Sequence, residues 1–236
     1  MGERKIVAII PARGGSKGIP RKNLVLIHGR PLIDYSIKTA LASKAIQRVV
    51  VSTEDAEIKA TALAAGAEVI DRPAELAADS TPTLPTLKHA LEELEQRGWM
   101  ADYVVLLQPT VPYRRSEDID AAIEMLLAED ADAVVGVVRA KAPRDWIFQL
   151  HDNRVAFYEQ PDFGRTRRQA NAPQYRINGA IYVYKSQTIK KSQDYAWGEK
   201  VCGYIMDEQR SLDIDEPFDL QIAELLLASS NQESKI

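Results

Sequence analysis

A single cysteine in 236 residues, Cys202, excludes an internal disulfide and fits a reducing compartment. In the run Val201-Cys202-Gly203-Tyr204 it reads as a small buried apolar side chain. The three histidines, His28, His89 and His151, are scattered without ligand spacing, which argues against a zinc site. No apolar run approaches a membrane-spanning length, and the one after Arg4 and Lys5 breaks at Pro11, too short for a secretory leader. The chain therefore reads as soluble and cytoplasmic. A basic excess is also missing: a formal net charge of -4 and a pI near 5.5 speak against nucleic acid or an anionic membrane as partner. Two phosphate-loop signatures are absent. GxxxxGK(S/T) fails because Gly18 follows Lys17, and GxGxxG fails because Gly14 and Gly15 are adjacent. No Ser–His–Asp set can be defended, because order and spacing in such triads are not fixed.

What is present suits one large domain. A hydrophobic content of 45% supplies a core, and 27% charged residues argue against disorder. Apolar runs predict strands at 5–10, 48–52, 68–70, 103–107 and 133–138. Amphipathic segments between them predict helices: one on Ile33, Ile37, Ala40 and Leu41 with Pro31 in its first turn, then 56–65 closed by Gly66, 84–97 closed by Gly98, and 116–128 capped by Ser116. Such alternation predicts a mostly parallel sheet with helices on both faces, and ligands bind at the carboxyl ends of its strands. Residues 140–178, rich in Pro, Arg and aromatics, read as an inserted excursion with short strands at 146–150 and 154–158. Strands at 180–184 and 199–206 follow. A last helix at 216–228 carries Phe218, Ile222, Leu225 and Leu226 on one stripe, and 229–236 reads as a loose polar tail.

The most informative segment is Ile9-Ile10-Pro11-Ala12-Arg13-Gly14-Gly15-Ser16-Lys17-Gly18-Ile19-Pro20-Arg21-Lys22-Asn23-Leu24. A hydrophobic strand here empties into a loop with three glycines and four cations. Glycines let backbone N–H groups approach an anion closely, and the cations meet its remaining charge, so a polyphosphate is the expected cargo. The plain alternative is a solvated basic turn. Ser52-Thr53-Glu54-Asp55 and Gln108-Pro109-Thr110 fall on the same predicted rim.

Near the C-terminus, Ser211-Leu212-Asp213-Ile214-Asp215 places two carboxylates two residues apart. In extended chain they share one face while Leu212 and Ile214 turn to the core. Two like charges so close call for a cation, and Mg²⁺ takes one or two carboxylates plus phosphate oxygens. Otherwise Asp215 simply caps the last helix. Arg167-Arg168 and Arg176-Ile177-Asn178 offer planar forks for phosphate or carboxylate. Arg114-Arg115 either holds an anion or serves the start of the next helix. Tyr182, Tyr195 and Trp197 wall a sugar pocket or pack in the core.

Together these segments resemble the CMP-sialic acid synthetases, cytidylyltransferases that activate nonulosonic sugars. Beyond the basic loop, the matching blocks in order are Arg72-Pro73-Ala74-Glu75-Leu76-Ala77, Gln108-Pro109-Thr110, Arg176-Ile177-Asn178-Gly179-Ala180-Ile181-Tyr182 and Ser211-Leu212-Asp213-Ile214-Asp215. The resemblance spans about residues 5–227. It implies an α/β, three-layer Rossmann-like nucleotidyltransferase fold, with a mostly parallel mixed sheet and a small inserted dimerisation excursion at about 140–178. It implies further that Arg13, Gly14, Ser16, Lys17, Lys22 and Asn23 hold the triphosphate of CTP, with Arg72 and Thr83 near the cytidine. Gln108, Arg168, Arg176, Asn178 and Tyr182 would meet the sugar acid or phosphates, and Asp213 and Asp215 would hold Mg²⁺. Arg13, Lys17 and Lys22 would act with that pair in catalysis, in a homodimer.

The family pattern Gln-Pro-Thr-Ser-Pro-Leu-Arg has Val111 and Tyr113 at its fourth and sixth places here, a departure that bears on the identity of the sugar. The expected reaction is CTP plus nonulosonate giving CMP-nonulosonate and pyrophosphate. A synthetase for the eight-carbon Kdo, another sugar nucleotidyltransferase on this scaffold, or an inactive nucleotide-binding regulator are the alternatives. The retained Lys22, Asp213 and Asp215 speak against the regulator.

Overall fold

The computed structural model describes residues 4–142, 146–157, 173–194 and 196–233, with side chains to residue 226. In chain order the elements are β1 (Ile6–Pro11), a 3-10 turn (Lys22–Leu24), β2 (Leu26–Ile27), β3 (Arg30–Pro31), α1 (Leu32–Leu41), β4 (Arg48–Thr53), α2 (Ala56–Ala65) and β5 (Glu68–Asp71). There follow α3 (Thr83–Gln96), β6 (Tyr103–Leu106), α4 (Ser116–Glu129), β7 (Ala133–Arg139), β8 (Phe148–His151), β9 (Arg154–Phe157), β10 (Tyr175–Lys185), α5 (Ser186–Lys191), β11 (Val201–Met206) and α6 (Pro217–Glu233).

Seven strands form one sheet in the order β11-β7-β10-β6-β1-β4-β5. Pairings are parallel except those of β10, which runs antiparallel to both β6 and β7. The central strand β1 is buried on both faces. Ile6, Ala8 and Ile10 pack with α1, α2 and α4 on one side, while Val7 and Ile9 pack with α3 and α5 on the other. The chain leaves β1 for β4 and β5 on one side, then returns to β6 on the other. This reversal opens a crevice between the ends of β1 and β6, the place where such sheets bind ligands.

Several expectations are corrected at the edges. Pro31 precedes α1 rather than joining its first turn, and Ser116 is the first helical residue of α4, with Arg115 before it. Helix α6 continues to Glu233, past the point where the polar tail was expected to begin. Its predicted stripe is only partly used: Phe218 is 67% and Leu225 70% exposed, while Ala223 is buried. The cluster beneath, made of Ile19, Ile27, Leu32 and Ile214, is small and, among the described side chains, takes up Ala223 and Leu220 from the helix. Within the excursion, β8 and β9 pair with each other and, among the described residues, with no other strand, and Tyr158 lies outside the described residues.

Candidate active site

The loop after β1 is shaped before any ligand arrives. Asn23 donates from Nδ2 to the carbonyl of Arg13 at 2.9 Å, and Gly14 N–H donates to Glu54 Oε1 at 2.7 Å. Arg21, in left-handed backbone at φ 55°, turns away from the loop mouth to pair with Asp55 and Glu57. The Arg21 guanidinium, helped by the N–H groups of Ile58 and Glu57, holds the Asp55 carboxyl down at about 2. One of the four loop cations is thus structural. The Gly14 N–H is spent on Glu54, while Gly15 and Ser16 beside it line the cleft.

A second segment crosses over from β11. Ile214 N–H donates to the Thr110 carbonyl at 2.8 Å, and Ser211 Oγ accepts from Asn178 Nδ2 at 2.9 Å. These contacts lay residues 211–215 across the ends of β10 and β6, with Ile214 buried and both aspartates turned to the crevice. The strap touches the loop directly: a Cβ on Gly18 would lie 2.4 Å from the Asp215 carbonyl oxygen. Gly179 plays the matching part on the other side. At φ 73° its missing side chain leaves room for the Gln108 amide, which a Cβ would meet at 2.5 Å.

The result is a cleft of roughly 380 Å³. Of the residues singled out from sequence it gathers Arg13, Ser16, Lys22 and Asn23 from the loop, Arg72 and Thr83 from beyond β5, and Gln108, Asp213 and Asp215. Lys22 Nζ lies 2.7 Å from Asp215 Oδ1. Arg13 and Lys17 converge instead on Asp79, a residue with no sequence signal, at 2.5 and 3.2 Å. Their pairing holds the Asp79 carboxyl below the usual range. Lys17 itself sits at the rim with its side chain 80% exposed.

Asp213 is the carboxyl of the cleft whose pKa is raised. Burial pushes its carboxyl up, the negative charges of Asp215 and Asp219 add to this, and Thr110 and Lys22 pull the other way. Its Oδ1 is buried without a hydrogen-bond partner. A buried, unpartnered carboxylate oxygen beside a second carboxylate is a donor set that fits a hard divalent cation. Among the described residues no group of three or more His, Cys, Asp or Glu forms a metal cluster, so phosphate oxygens would have to complete the shell. Arg72 offers a complementary group. It is buried, which lowers its pKa; Nη2 donates to the Ser52 carbonyl at 3.0 Å, and Nε has no partner.

Other expected site residues lie elsewhere. Asn178 is buried behind the cleft, its amide committed to Ser211 and to the N–H of Ala180, so it positions the strap and does not reach the cleft. Gly136 leaves the room this needs, since a Cβ there would lie 2.6 Å from Asn178 Oδ1. Arg176 enters a neighbouring cavity of roughly 360 Å³ with Arg139 and Lys141, on the far side of Asp213 and Asp215. Tyr182 and Trp197 line a third cavity, of roughly 430 Å³, which shares Pro82, Thr83 and Gln108 with the cleft. Arg168 and Tyr195 lie outside the described residues.

The open question on Arg114 is closed by its burial. It donates to the carbonyls of Val111, Ala180 and Gln108 and to Ser36 Oγ, and burial lowers its pKa to about 9. It therefore staples the Gln108 loop to β10 and holds no ligand. Val111 and Tyr113 also stay out of the cleft: Val111 is fully buried, and the Tyr113 hydroxyl donates to the Ala223 carbonyl of α6 at 2.6 Å. These two departures from the family pattern serve packing.

The chain matches the family model described as cytidylyltransferase over residues 7–226. It is 34% identical over 232 residues to an N-acylneuraminate cytidylyltransferase of Escherichia coli, a match covering 97% of this chain and 54% of that protein; the chain thus spans about half of that relative's length. Over 235 residues it is 32% identical to a CMP-N,N'-diacetyllegionaminic acid synthase of Legionella pneumophila, covering 98% and 100% of the two chains. A solved CMP:2-keto-3-deoxy-manno-octonic acid synthetase complexed with CTP superposes with a TM-score of 0.73 at 19% identity, over 96% of this chain and 99% of that one. At that identity the likeness speaks to the fold alone.

Proposed function

The chain belongs to the cytidylyltransferase family, and on that premise we propose that it joins CTP to a nonulosonic, sialic-acid-like sugar, releasing pyrophosphate and forming the CMP-sugar. The observation that carries the reading is the 2.7 Å approach of Lys22 to Asp215, which puts the cationic loop and the carboxylate pair in one cleft.

In this reading Arg13, Ser16 and Lys22 receive the triphosphate, Asn23 braces the loop, and Lys17 closes on the phosphates from the rim. The unpartnered Arg72 Nε serves the acceptor edge of the cytosine, with Thr83 beside it. The anomeric hydroxyl gives up its proton to solvent as it attacks the α-phosphorus in line, and the bond to the bridging oxygen breaks as pyrophosphate leaves. Lys22 and Arg13 neutralise the charge that grows on the leaving group. Asp213 and Asp215 would hold Mg²⁺, which when bound neutralises phosphate charge and orients the reacting oxygens. The acceptor occupies the third cavity, where Gln108 and Thr83 mark the junction with the nucleotide and Tyr182 forms part of the wall.

A homodimer belongs to the same reading. Among the described residues the β8–β9 hairpin shares no sheet with the main body, and Leu150 and Val155 are 64% and 49% exposed. A lone two-stranded hairpin is marginal in water. The excursion would gain cover on a second copy and carry Arg168 toward one of the two clefts. The chain is read as one nucleotidyltransferase domain, acting in the cytoplasm; among the described residues no helix is long and apolar enough to cross a membrane.

Pyrophosphate release with each of four nucleoside triphosphates, against a panel of sugar acids, tests the reading. CTP with a nonulosonate should far exceed every other pair. Preference for another nucleotide, or for the eight-carbon Kdo, would replace it.

A further inference from the structure

The third cavity differs from the nucleotide cleft in chemistry. The cleft presents Arg13, Lys22 and Arg72, whereas the described lining of the neighbouring cavity contains no Lys or Arg. Its wall is made largely by Leu84, Leu87, Leu106, Ile177 and Trp197. Tyr182 and Tyr184 add a pair of stacked rings with centroids 6.2 Å apart. Away from the junction at Thr83 and Gln108, the one charged group among the described lining residues is the carboxylate of Asp194.

A 2-keto sugar acid has two unlike ends. Its anomeric hydroxyl and carboxylate share one carbon, so both must sit at the junction, within reach of the α-phosphate and the cations of the cleft. The far end of the sugar then enters the apolar cavity. Against its aliphatic wall of Leu84, Leu87, Leu106 and Ile177 a hydroxyl would lose water without a new partner, at a cost, while a methyl gains by leaving water. An acylamino group suits the place twice over, its N–H reaching Asp194 and its methyl the wall.

Resting on the reading of this cavity as the acceptor subsite, we infer that the acceptor carries acylamino and deoxy groups on its distal carbons, in preference to a fully hydroxylated side chain. The wall of Leu84, Leu87, Leu106, Ile177 and Trp197 selects it.

The test compares two acceptors on the full chain with CTP: N-acetylneuraminate, whose tail is hydroxylated, and a 5,7-diacetamido-9-deoxy nonulosonate. The second should show kcat/KM at least about tenfold higher, the scale set by one or two methyl groups in a hydrophobic pocket. Trp197→Ala should narrow that ratio, which a general loss of folding would leave unchanged because both acceptors meet the same protein. Equal or better use of N-acetylneuraminate overturns the acceptor class and leaves cytidylyl transfer standing. A ratio untouched by Trp197→Ala removes the wall as its cause. Turnover of no nonulosonate overturns the underlying reading as well.

Discussion

Lys22 Nζ and Asp215 Oδ1 lie 2.7 Å apart although 193 residues separate them in the chain. The contact joins a loop after the first strand to a strap after the last, and the chemistry proposed for the cleft depends on both arriving there. The lysine side chain is mostly buried, so its charge acts in a site partly shielded from water.

Replacing Lys22 by Ala should therefore reduce kcat by about a hundredfold or more, the usual cost of removing one group that stabilises transition-state charge. Circular dichroism and thermal melting should remain close to those of the parent. A kcat within about threefold of the parent would place the catalytic cation elsewhere.

Asp213 trades stability for function. Its folded pKa is raised by burial first and by neighbouring carboxylates next, so ionising it costs stability. That cost is absent below the ordinary carboxylate pKa of about 3.9 and grows as pH rises through the folded value. Asp213→Asn should thus melt higher than the parent at neutral pH and alike in acid, while activity is lost. Added Mg²⁺ should raise the melting temperature of the parent and not that of the variant. Melting curves across pH, with and without the metal, check both statements.

Asp55 has the opposite sign. Arg21 and the first turn of α2 hold its carboxyl at about 2, so it stabilises the fold above the ordinary carboxylate range and loses that contribution as pH falls toward 2. Asp55→Ala removes a helix cap worth about 1 kcal/mol together with the anchor of Arg21. Urea titrations should show that loss at neutral pH and a shallower decline in acid. The KM for CTP should rise as the loop loosens.

Much of this was legible in the residues. Ala56–Ala65 and its closing Gly66 follow from an alanine run and a glycine that adopts φ 97°, whereas the Asp55 cap emerged only from the structure. The cationic loop and the carboxylate pair were legible because their chemistry is odd for a solvated turn. The direction of β10 was not, since a period of two in an apolar run is the same for parallel and antiparallel neighbours. Nor was the diversion of the Gly14 N–H to Glu54, which depends on a contact 40 residues away. The placement of Asn178 was not legible for a related reason. A polar side chain beside a glycine is equally suited to ligand or strap, and only the Ser211 hydroxyl at 2.9 Å decides between them. The stripe on α6 was overread because the cluster beneath it is too small to cover it.

Gly18→Ala probes the meeting of loop and strap without touching a charge. The added Cβ would lie 2.4 Å from the backbone oxygen of Asp215, so loop or strap must move. A displacement of about 1 Å at a reacting centre can cost about a hundredfold. Turnover should fall by roughly ten- to a hundredfold on that scale, with the melting temperature little changed. Parent-like turnover would show that the contact is not needed for catalysis.

The most direct measurement is a crystal structure with CTP and Mn²⁺, the metal located by its anomalous scattering. Phosphate oxygens should be found against Arg13 and Lys22, with the manganese peak bridging them to Asp213 and Asp215 and Lys22 drawn from the carboxylate toward phosphate. A metal bound away from those two aspartates, or a triphosphate that leaves Lys22 on Asp215, would contradict the shared site on which the proposed reaction rests.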